Sequence, residues 1–374
     1  MTESRKYESR RPILAAALLS GLALVAFAEG APQAAVTEPR AVEQSREWFR
    51  QFGEKSGAPG YSVAVAVDGK IVWAEGFGKA DLEAGSDATA DTRYRIGSVT
   101  KLFTAAAAML LVEQGRLDLD APVQKHVPLF PEKSAPLTLR HLAGHVSGIR
   151  NYRGYNEYWN TQRVAKISET IPRFKDDPLL HDPGSKYAYS SYNYVLLGTA
   201  MESAAGQDFV TLLRESVLLP LGLKTVAPDV GEEIVPGRSG YYEKTREGKL
   251  QNCAFADHTD RLPAGGYQGT VTDLARFGVA MTNGSLLKAG TRAQMFTSQK
   301  LTDGKDTRVG IGWRIAQDAA GRMFVHHGGD APGGRAFLLV YPEHGVVVAF
   351  AANLSFAPFA EQQAAEVAAF FLAK

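Results

Sequence analysis

Ser98 and Lys101 are the two residues of this sequence whose types and spacing best suit covalent catalysis. They stand in Ser98-Val-Thr-Lys101, at the start of an apolar run that predicts a helix from about Ser98 to Gln114. Residues three apart share one helix face, so the lysine amine can reach the serine hydroxyl. Burial and the positive helix end both lower a lysine pKa, and a neutral amine can accept the serine proton. The pair therefore predicts a nucleophilic serine activated by lysine.

A plain helix cap is the alternative interpretation of Ser98. Serine is a favoured N-cap, but the residue three positions later is then usually Glu or Gln, which suits the positive helix end. Lys101 has the opposite charge, and a local rule broken without visible compensation points to function. A second Ser-x-x-Lys, Ser285 to Lys288, follows an Asn-Gly turn and opens no long apolar helix. We therefore assign the nucleophile to Ser98.

Two later motifs also carry polar side chains. The first, Tyr189 to Ser191, follows a Pro-Gly turn and directly precedes an apolar helix. The second, His326 to Gly329, ends an apolar strand, where consecutive glycines allow a substrate to approach the backbone closely. A buried aromatic is the alternative for Tyr189, and metal binding is the alternative for the two histidines. Adjacent strand residues face opposite ways and no third ligand is near in sequence, so we expect no metal site.

The three motifs together resemble the active-site motifs of serine β-lactamases and penicillin-binding proteins. That family has Ser-x-x-Lys, Tyr-x-Asn and Lys/His-Thr-Gly, in the order and separation of Ser98-x-x-Lys101, Tyr189-Ser-Ser191 and His326-x-Gly328 here. The tyrosine places the resemblance in the class C, D,D-peptidase and esterase branch. Within that branch the chain looks most like the mitochondrial serine β-lactamase-like proteases. The resemblance covers about residues 42 to 374, and further similar stretches include residues 57–60, 94–98, 115–120, 141–149 and 265–266.

The resemblance implies a role for each of these residues. Ser98 would attack a carbonyl and form an acyl-enzyme, while Lys101 and Tyr189 would share the proton transfers. Tyr189 would ionise near the lysine charge and activate Ser98 or the deacylating water. Substrate and oxyanion would be held by Ser191, His326, Gly328 and Gly329, with the backbone N–H groups of Ser98 and Gly329 as the oxyanion hole. The resemblance implies no metal and no organic cofactor.

Two departures from the family pattern bear on the substrate. Ser191 stands where the family has Asn, which holds the amide beside a β-lactam ring, and His326 stands for the Lys. The first departure argues against efficient β-lactam hydrolysis. We expect a peptidase, acting on peptides that include D-amino acids. A small-ester esterase of the same fold and a non-catalytic binding or assembly protein are the alternatives.

Strands predicted near both ends of the chain must position these motifs. Residues 61–67 and 70–74 flank an Asp-Gly turn, and residues 336–341 and 346–351 flank a second turn. Helical runs separated by Pro, Gly and Asn lie between them. The pattern predicts an α+β fold of the β-lactamase/transpeptidase-like type, with an antiparallel sheet formed from both chain ends, flanking helices and a central, mainly helical lobe.

The predicted catalytic domain is residues 42–374. Its α/β lobe comprises residues 42–116 and 265–374, and its helical lobe comprises residues 117–264. Amphipathic helices are expected over about Val42 to Phe52 and Phe359 to Leu372.

Residues 1–28 are predicted to be a signal peptide. Basic residues precede an apolar run that ends in Ala26-Phe27-Ala28, a small-x-small cleavage pattern, and residues 9–14 are similar to a twin-arginine export signal. An uncleaved anchor is the alternative, but the run has roughly 15 apolar residues and a spanning helix needs about 20. We expect an exported, periplasmic or extracellular protein with a linker at residues 29–41 and no stable membrane span after cleavage.

The charge balance and the cysteine count limit the classes of partner and of structural site that the sequence supports. Lys and Arg number 41 against 40 Asp and Glu, and this balance gives no reason to expect nucleic-acid binding. The substrate is then a small molecule or a peptide. Cys253 is the sole cysteine, which excludes an intramolecular disulfide and a structural thiolate zinc site. The similar mitochondrial proteins polymerise, so the resemblance is compatible with a homo-oligomer.

Overall fold

The computed structural model describes residues 38–372. The predicted signal peptide, residues 1–28, and residues 29–37 of the predicted linker lie outside the described residues. The first helix begins at Glu38, so the end of the predicted linker, residues 38–41, belongs to that helix. Within residues 38–372, no helix is both long enough and apolar enough to cross a membrane.

Strands and helices alternate irregularly along the chain. The strands are β1 Gly60–Val67, β2 Lys70–Asp81, β3 Ser86–Asp87, β4 Tyr94–Arg95, β5 Ala227–Pro228, β6 Tyr242–Lys244, β7 Leu250–Asn252, β8 Tyr267–Gly269, β9 Arg314–Gln317, β10 Met323–Ala331, β11 Gly334–Tyr341 and β12 Val346–Ala352. The helices are α1 Glu38–Ser56, α2 Thr100–Glu113, α3 Leu139–Ala143, α4 Gly154–Tyr158, α5 Ser191–Ala205, α6 Phe209–Leu213, α7 Leu262–Gly265, α8 Val271–Asn283, α9 Ala289–Met295 and α10 Glu361–Ala369.

A seven-stranded antiparallel sheet has the order β3-β2-β1-β12-β11-β10-β9. Strand β1 pairs with β12 from Tyr61↔Ala352 to Val67↔Val346, so the two chain ends meet in the middle of the sheet. Both predicted hairpins are confirmed, as β1–β2 and β11–β12. The first turns at Asp68 and Gly69, which both have positive φ, as a tight two-residue hairpin turn requires. The predicted α+β fold is therefore confirmed.

Helices cover both faces of this sheet. Successive strand residues face opposite ways, and in β1 Val63 and Val65 join an aromatic-rich cluster that includes Phe49 of α1 and Val367 of α10. Ala64 and Ala66 join the other cluster, which includes the buried sides of α2 and α8. The active-site motifs lie on the side of α2.

The central segment packs against α2 rather than standing apart from it. One continuous cluster contains Leu102 of α2, Leu197 of α5 and Ala349 of β12. That cluster therefore spans both predicted lobes, and the lobe boundaries at residues 117 and 264 stay a prediction.

Candidate active site

Ser98 lies in a short 3-10 turn, Gly97–Val99, that leads directly into α2. The α-helix thus begins at Thr100, two residues later than the sequence predicts, and Val99 rather than Ser98 is its N-cap. Within the part of the chain that the structure describes, no side chain caps this helix end. Gly97 has a φ of +49°, and a Cβ there would lie 2.6 Å from the carbonyl oxygen of Asp330. The turn is therefore built to present Ser98 beside the end of β10, and the helix-cap interpretation does not describe it.

Lys101 and Tyr189 both contact the Ser98 hydroxyl. Nζ of Lys101 lies 3.0 Å from Oγ of Ser98, and Oη of Tyr189 donates to the same oxygen at 2.9 Å. Lys101 reaches Ser98 along one face of the first helical turn, as the spacing predicts. Tyr189 arrives from the loop that ends where α5 begins. Residues some ninety positions apart in the chain thereby share one oxygen atom.

The Lys101 amine is surrounded by neutral oxygens. It is fully buried, and besides Ser98 it contacts Oγ of Ser191 at 3.2 Å and the carbonyl oxygen of Ala264 at 2.6 Å. Burial, and then the positive charges of Arg261 and Arg314, hold the pKa of Lys101 well below its usual value. The arrangement favours a neutral amine that can accept the Ser98 proton.

Tyr189 is positioned as a hydrogen-bond donor. Burial raises its pKa, with the hydrogen bond to Ser98 only partly opposing that effect. Nζ of Lys101 lies 5.0 Å from the ring centroid and contacts Ser98 rather than the phenol oxygen. These contacts do not favour the expected ionisation of Tyr189, and the proton acceptor is better assigned to Lys101.

His145 is a site residue that the sequence does not reveal. Its ring centroid lies 4.3 Å from that of Tyr189 and 5.3 Å from that of Tyr194. The Ser190 N–H donates to Nδ1 at 3.2 Å, and the backbone φ of His145 is +58°, which is rare for a residue with a side chain. The residue lies in the 141–149 stretch that carries part of the resemblance, but nothing in the sequence places it behind Tyr189.

The structure corrects the placement of His326. Its ring stacks on Phe337 with centroids 5.3 Å apart, and its Nε2 lies 3.2 Å from a carboxylate oxygen of Glu361 in α10. That is the sheet face opposite Ser98. Because neighbouring strand residues alternate, His327 is the one that faces Tyr189, with ring centroids 6.1 Å apart. The third motif is therefore His327-Gly328-Gly329 rather than His326-x-Gly328.

The pairing of β10 also corrects the expected oxyanion donor. The pairing of β10 with β9 ends at His326↔Arg314, and the Ile315 N–H points away from β10, towards the carbonyl oxygen of Arg308. Peptide groups alternate in direction along an antiparallel strand, so those of His326, Gly328 and Asp330 all point to the β9 side.

Among residues 38–372, no strand pairs with that side of β10 past the end of β9. The Asp330 N–H therefore has no strand partner among these residues, and it lies beside the Ser98 turn, since a Cβ on Gly97 would be 2.9 Å from the Asp330 nitrogen. The Gly329 N–H points instead towards Ala336 of β11. The oxyanion donors are thus better assigned to Ser98 and Asp330.

Gly329 contributes to the site because its missing side chain leaves room for the nucleophile turn. A Cβ at this position would lie 2.0 Å from the carbonyl oxygen of Ile96 and 2.9 Å from the nitrogen of Ser98. Gly328 faces the other way, towards the ring of Phe337. Gly329 therefore lets β10 approach the nucleophile turn closely, and the expected approach of a substrate to this backbone stays a prediction.

A cleft of about 390 Å³ opens over this centre. The predicted residues Ser98, Tyr189, Ser191 and Gly328 line it, together with Asn151, Tyr152, Tyr158, Arg314, His327, Asp330 and Phe356. Arg314 stands over the Tyr189 ring, 5.7 Å from its centroid, and its charge is one of those that lower the pKa of Glu361. Within residues 38–372, no cluster of His, Cys, Asp and Glu side chains could hold a metal ion.

Comparisons with known proteins extend these observations. The family model described as Beta-lactamase matches residues 46–372. The mouse (Mus musculus) protein named serine beta-lactamase-like protein LACTB, mitochondrial, is 28% identical over 412 residues, which cover 84% of this chain and 75% of that protein. Penicillin-binding protein 4* of Bacillus subtilis is 25% identical over 320 residues, 82% of this chain and 70% of that protein. The octameric penicillin-binding protein homologue from Pyrococcus abyssi has a TM-score of 0.75 and 30% identity, covering 84% of this chain and 74% of that one.

Proposed function

The chain belongs to the beta-lactamase family of serine hydrolases, and from this premise we propose that it cleaves peptides through an acyl-enzyme on Ser98. The observation that carries the proposal is the convergence of Lys101 and Tyr189 on one oxygen, at 3.0 and 2.9 Å. A nucleophile and its base within hydrogen-bond reach, with a further polar group holding them, is the arrangement that nucleophilic catalysis needs.

In acylation, Lys101, Tyr189 and the two oxyanion donors each have a separate role. The neutral Lys101 amine takes the Ser98 proton as Oγ forms its bond to the substrate carbonyl carbon. The oxygen that becomes negative is stabilised by the N–H groups of Ser98 and Asp330. Tyr189 donates its proton to the leaving nitrogen as the C–N bond breaks, and the proton on Lys101 replaces it through Ser191 or solvent. The products are an ester on Ser98 and a free amine.

Arg314 favours substrates that carry a carboxylate next to the scissile bond. Its exposed guanidinium lines the cleft beside Tyr189, the group assigned to the leaving nitrogen. A guanidinium binds a carboxylate through two parallel hydrogen bonds, which fixes both position and angle. The leaving group would then be a C-terminal amino acid, and short peptides ending in D-amino acids are the first class to test.

Small esters are the second candidate substrate. The position that holds an amide in the family's Tyr-x-Asn motif is Ser191, and its hydroxyl contacts Lys101 at 3.2 Å. A short side chain engaged with the base offers less recognition of an amide than asparagine does. Esters need no such recognition, and their leaving group needs less help from Tyr189.

The test is covalent labelling followed by a substrate panel. Mass spectrometry after exposure to a fluorophosphonate or a penicillin should find the adduct on Ser98. Ser98→Ala should abolish it, while Ser285→Ala, the matched change in the other Ser-x-x-Lys, should not. An adduct that persists in Ser98→Ala contradicts the assignment, and a wild-type chain that no acylating probe labels supports a binding protein. Turnover of D-Ala-D-Ala peptides against p-nitrophenyl esters then separates peptidase from esterase.

Export and self-association are also proposals. The basic, apolar and small-x-small order of residues 1–28 supports export to the periplasm or the cell exterior. Cell fractionation with N-terminal sequencing of the mature protein tests it, and cleavage after Ala28 is the expected result. The octameric state named for the Pyrococcus abyssi homologue supports a homo-oligomer, which light scattering would detect.

A further inference from the structure

A small polar recess adjoins the main cleft behind Ser98. Its volume is about 30 Å³, and its wall includes Ser98 and Ser191 together with Tyr158, His258 and Asp330. Ser98, Ser191, Tyr158 and Asp330 also line the main cleft, so the recess is an inner extension of the same space. Whatever occupies the recess lies next to the nucleophile.

Two hydrogen-bonding atoms on these wall residues, Nε2 of His258 and Oη of Tyr158, are buried and have no partner among residues 38–372. A buried polar atom without a partner costs about 1–3 kcal/mol, so two on one small wall need an explanation. The site is polar and has room for at least one water, which needs roughly 10–15 Å³ and two to four polar partners.

His258 is held in a defined tautomer by Asp229. Nδ1 of His258 lies 3.1 Å from Oδ2 of Asp229, and both side chains are 1% exposed. Arg95 lies 2.6 Å from the same carboxylate oxygen and keeps it ionised. A carboxylate accepts the Nδ1 proton, so Nε2 carries the lone pair and is an acceptor. Burial and the charge of Arg95 lower the pKa of His258, with Asp229 opposing and Arg261 adding to the effect, which favours the neutral ring.

We propose that the recess holds the water that hydrolyses the acyl-enzyme, and that Nε2 of His258 accepts the proton of that water. This inference rests on the proposed acyl-enzyme on Ser98. Tyr158 donates a hydrogen bond to the water oxygen. His258 thereby gives deacylation a base separate from Lys101, the base of acylation.

The step balances without any further reagent. The water oxygen forms a bond to the acyl carbon while one of its protons passes to Nε2. The bond from that carbon to Oγ of Ser98 then breaks, and Oγ takes a proton from Tyr189, which recovers one from solvent. His258 releases its proton to solvent as the carboxylic acid leaves. Asp229 stabilises the imidazolium during this interval and keeps its own charge.

Charge and polarity argue against the other occupants of the recess. An ammonium group of a substrate would lie close to the buried guanidinium of Arg261, which is part of the same wall. An apolar acyl side chain would leave Nε2 of His258 and Oη of Tyr158 without partners. Either occupant would make changes in the recess alter acylation, and this separates them from the water.

The experiment resolves acylation from deacylation with p-nitrophenyl acetate in a stopped-flow instrument. The burst rate reports acylation, and the later steady rate reports deacylation. In His258→Gln the steady rate should fall about 10²-fold, the usual contribution of a general base, and the burst rate should be unchanged. Acetyl-Ser98 should accumulate in the mass spectrum. Hydroxylamine, a strong nucleophile that needs no such base, should restore turnover in this variant.

Tyr158→Phe and Tyr267→Phe form a matched pair. Both remove a buried hydroxyl without a partner among the described residues, but only Tyr158 lines the recess. Tyr158→Phe should slow deacylation alone, by about tenfold for one lost hydrogen bond, and Tyr267→Phe should change neither rate. If His258→Gln fails to fold, this pair decides the question.

Three results would distinguish a failure of the His258 inference from a failure of the proposed acyl-enzyme. An unchanged steady rate in a folded His258→Gln, or an unchanged one in Tyr158→Phe, overturns the inference and leaves the acyl-enzyme standing. Burst and steady rates that fall together, without rescue by hydroxylamine, assign the recess to substrate binding or to structure and also overturn it. A wild-type protein that never carries acetyl-Ser98 refutes the proposed function itself.

Discussion

The amine of Lys101 lies 3.2 Å from the hydroxyl of Ser191, and no carboxylate among residues 38–372 contacts Nζ of Lys101. An ammonium there would lose its hydration without gaining an opposite charge, which is costly. The charges of Arg261 and Arg314, which act on this amine, are both positive. The contact therefore holds a neutral base in place by hydrogen bonds alone. Because the protonation state of Lys101 differs between the folded and unfolded chain, it should affect how the free energy of unfolding depends on pH.

Lys101→Met should make the free energy of unfolding less dependent on pH. The folded pKa of Lys101 lies below its unfolded value, so between the two the unfolded chain binds more protons and wild-type stability rises with pH. The variant lacks this contribution. Its stability relative to wild type should fall with rising pH, by up to about 1.4 kcal/mol per unit, until about pH 10.5. Urea unfolding across this range measures it, and acylation should fall about 10²–10⁴-fold.

Lys133→Met is the matched control for that variant. Nζ of Lys133 also contacts backbone carbonyls, at 2.8 Å for Asp177, and burial lowers its pKa, but it lies outside the catalytic cleft. It should leave acylation unchanged. A stability difference between Lys101→Met and wild type that stays constant with pH would contradict the depressed pKa.

Local sequence rules were sufficient for the parts of the site that are local in the chain. Ser98 and Lys101 lie three residues apart on one helical turn, and the two hairpins follow from short turn signals. Local rules did not decide which residues of β10 face each side of the sheet. This strand is buried on both faces, with Phe324 in one core cluster and Val325 in the other, so alternation alone could not say whether His326 or His327 faces the nucleophile.

The remaining wall residues come together only through tertiary packing. Arg314 lines the cleft, His258 lines the recess and His145 packs against Tyr189, and the three come from separate segments of the chain. Their roles depend on distances that spacing along the chain does not encode. The oxyanion donor likewise depended on where β9 ends, because that decides which peptide groups of β10 stay unpaired.

His326→Phe and His327→Phe should separate the two sheet faces. The ring of His326 packs on Phe337, so phenylalanine fits there, and the lost contact is to a half-exposed Glu361, worth about 1 kcal/mol or less. Activity should persist. His327 lies in the cleft with Nδ1 2.6 Å from the Gly328 carbonyl oxygen, and its loss should lower kcat/KM about tenfold. Ester turnover measures both, and the reverse ranking would restore His326 to the site.

Arg314→Gln should weaken recognition of one end of the substrate only. A charged hydrogen bond is worth about 1.5–3 kcal/mol, so kcat/KM for a peptide with a free C-terminal carboxylate should fall about 10–10²-fold. The same peptide with an amidated C-terminus should be cleaved equally by wild type and variant. Arg50→Gln, a change at an exposed arginine of α1, is the control. Equal losses for both peptides would show that Arg314 does not read the carboxylate.

Gly329→Ala and Gly290→Ala should have opposite effects. A methyl group at residue 329 would lie 2.0 Å from the carbonyl oxygen of Ile96, so strand and nucleophile turn must separate. We expect a loss of about 1–3 kcal/mol in the free energy of unfolding, together with slower acylation, since the Ser98 and Asp330 donors move apart. At Gly290, in α9, nothing lies within 4 Å of the new methyl group. Alanine there should stabilise the protein by about 0.5–1 kcal/mol and leave acylation unchanged. Urea unfolding and the burst rate with p-nitrophenyl acetate measure both, and normal acylation in Gly329→Ala would mean that β10 does not need to approach Ser98 so closely.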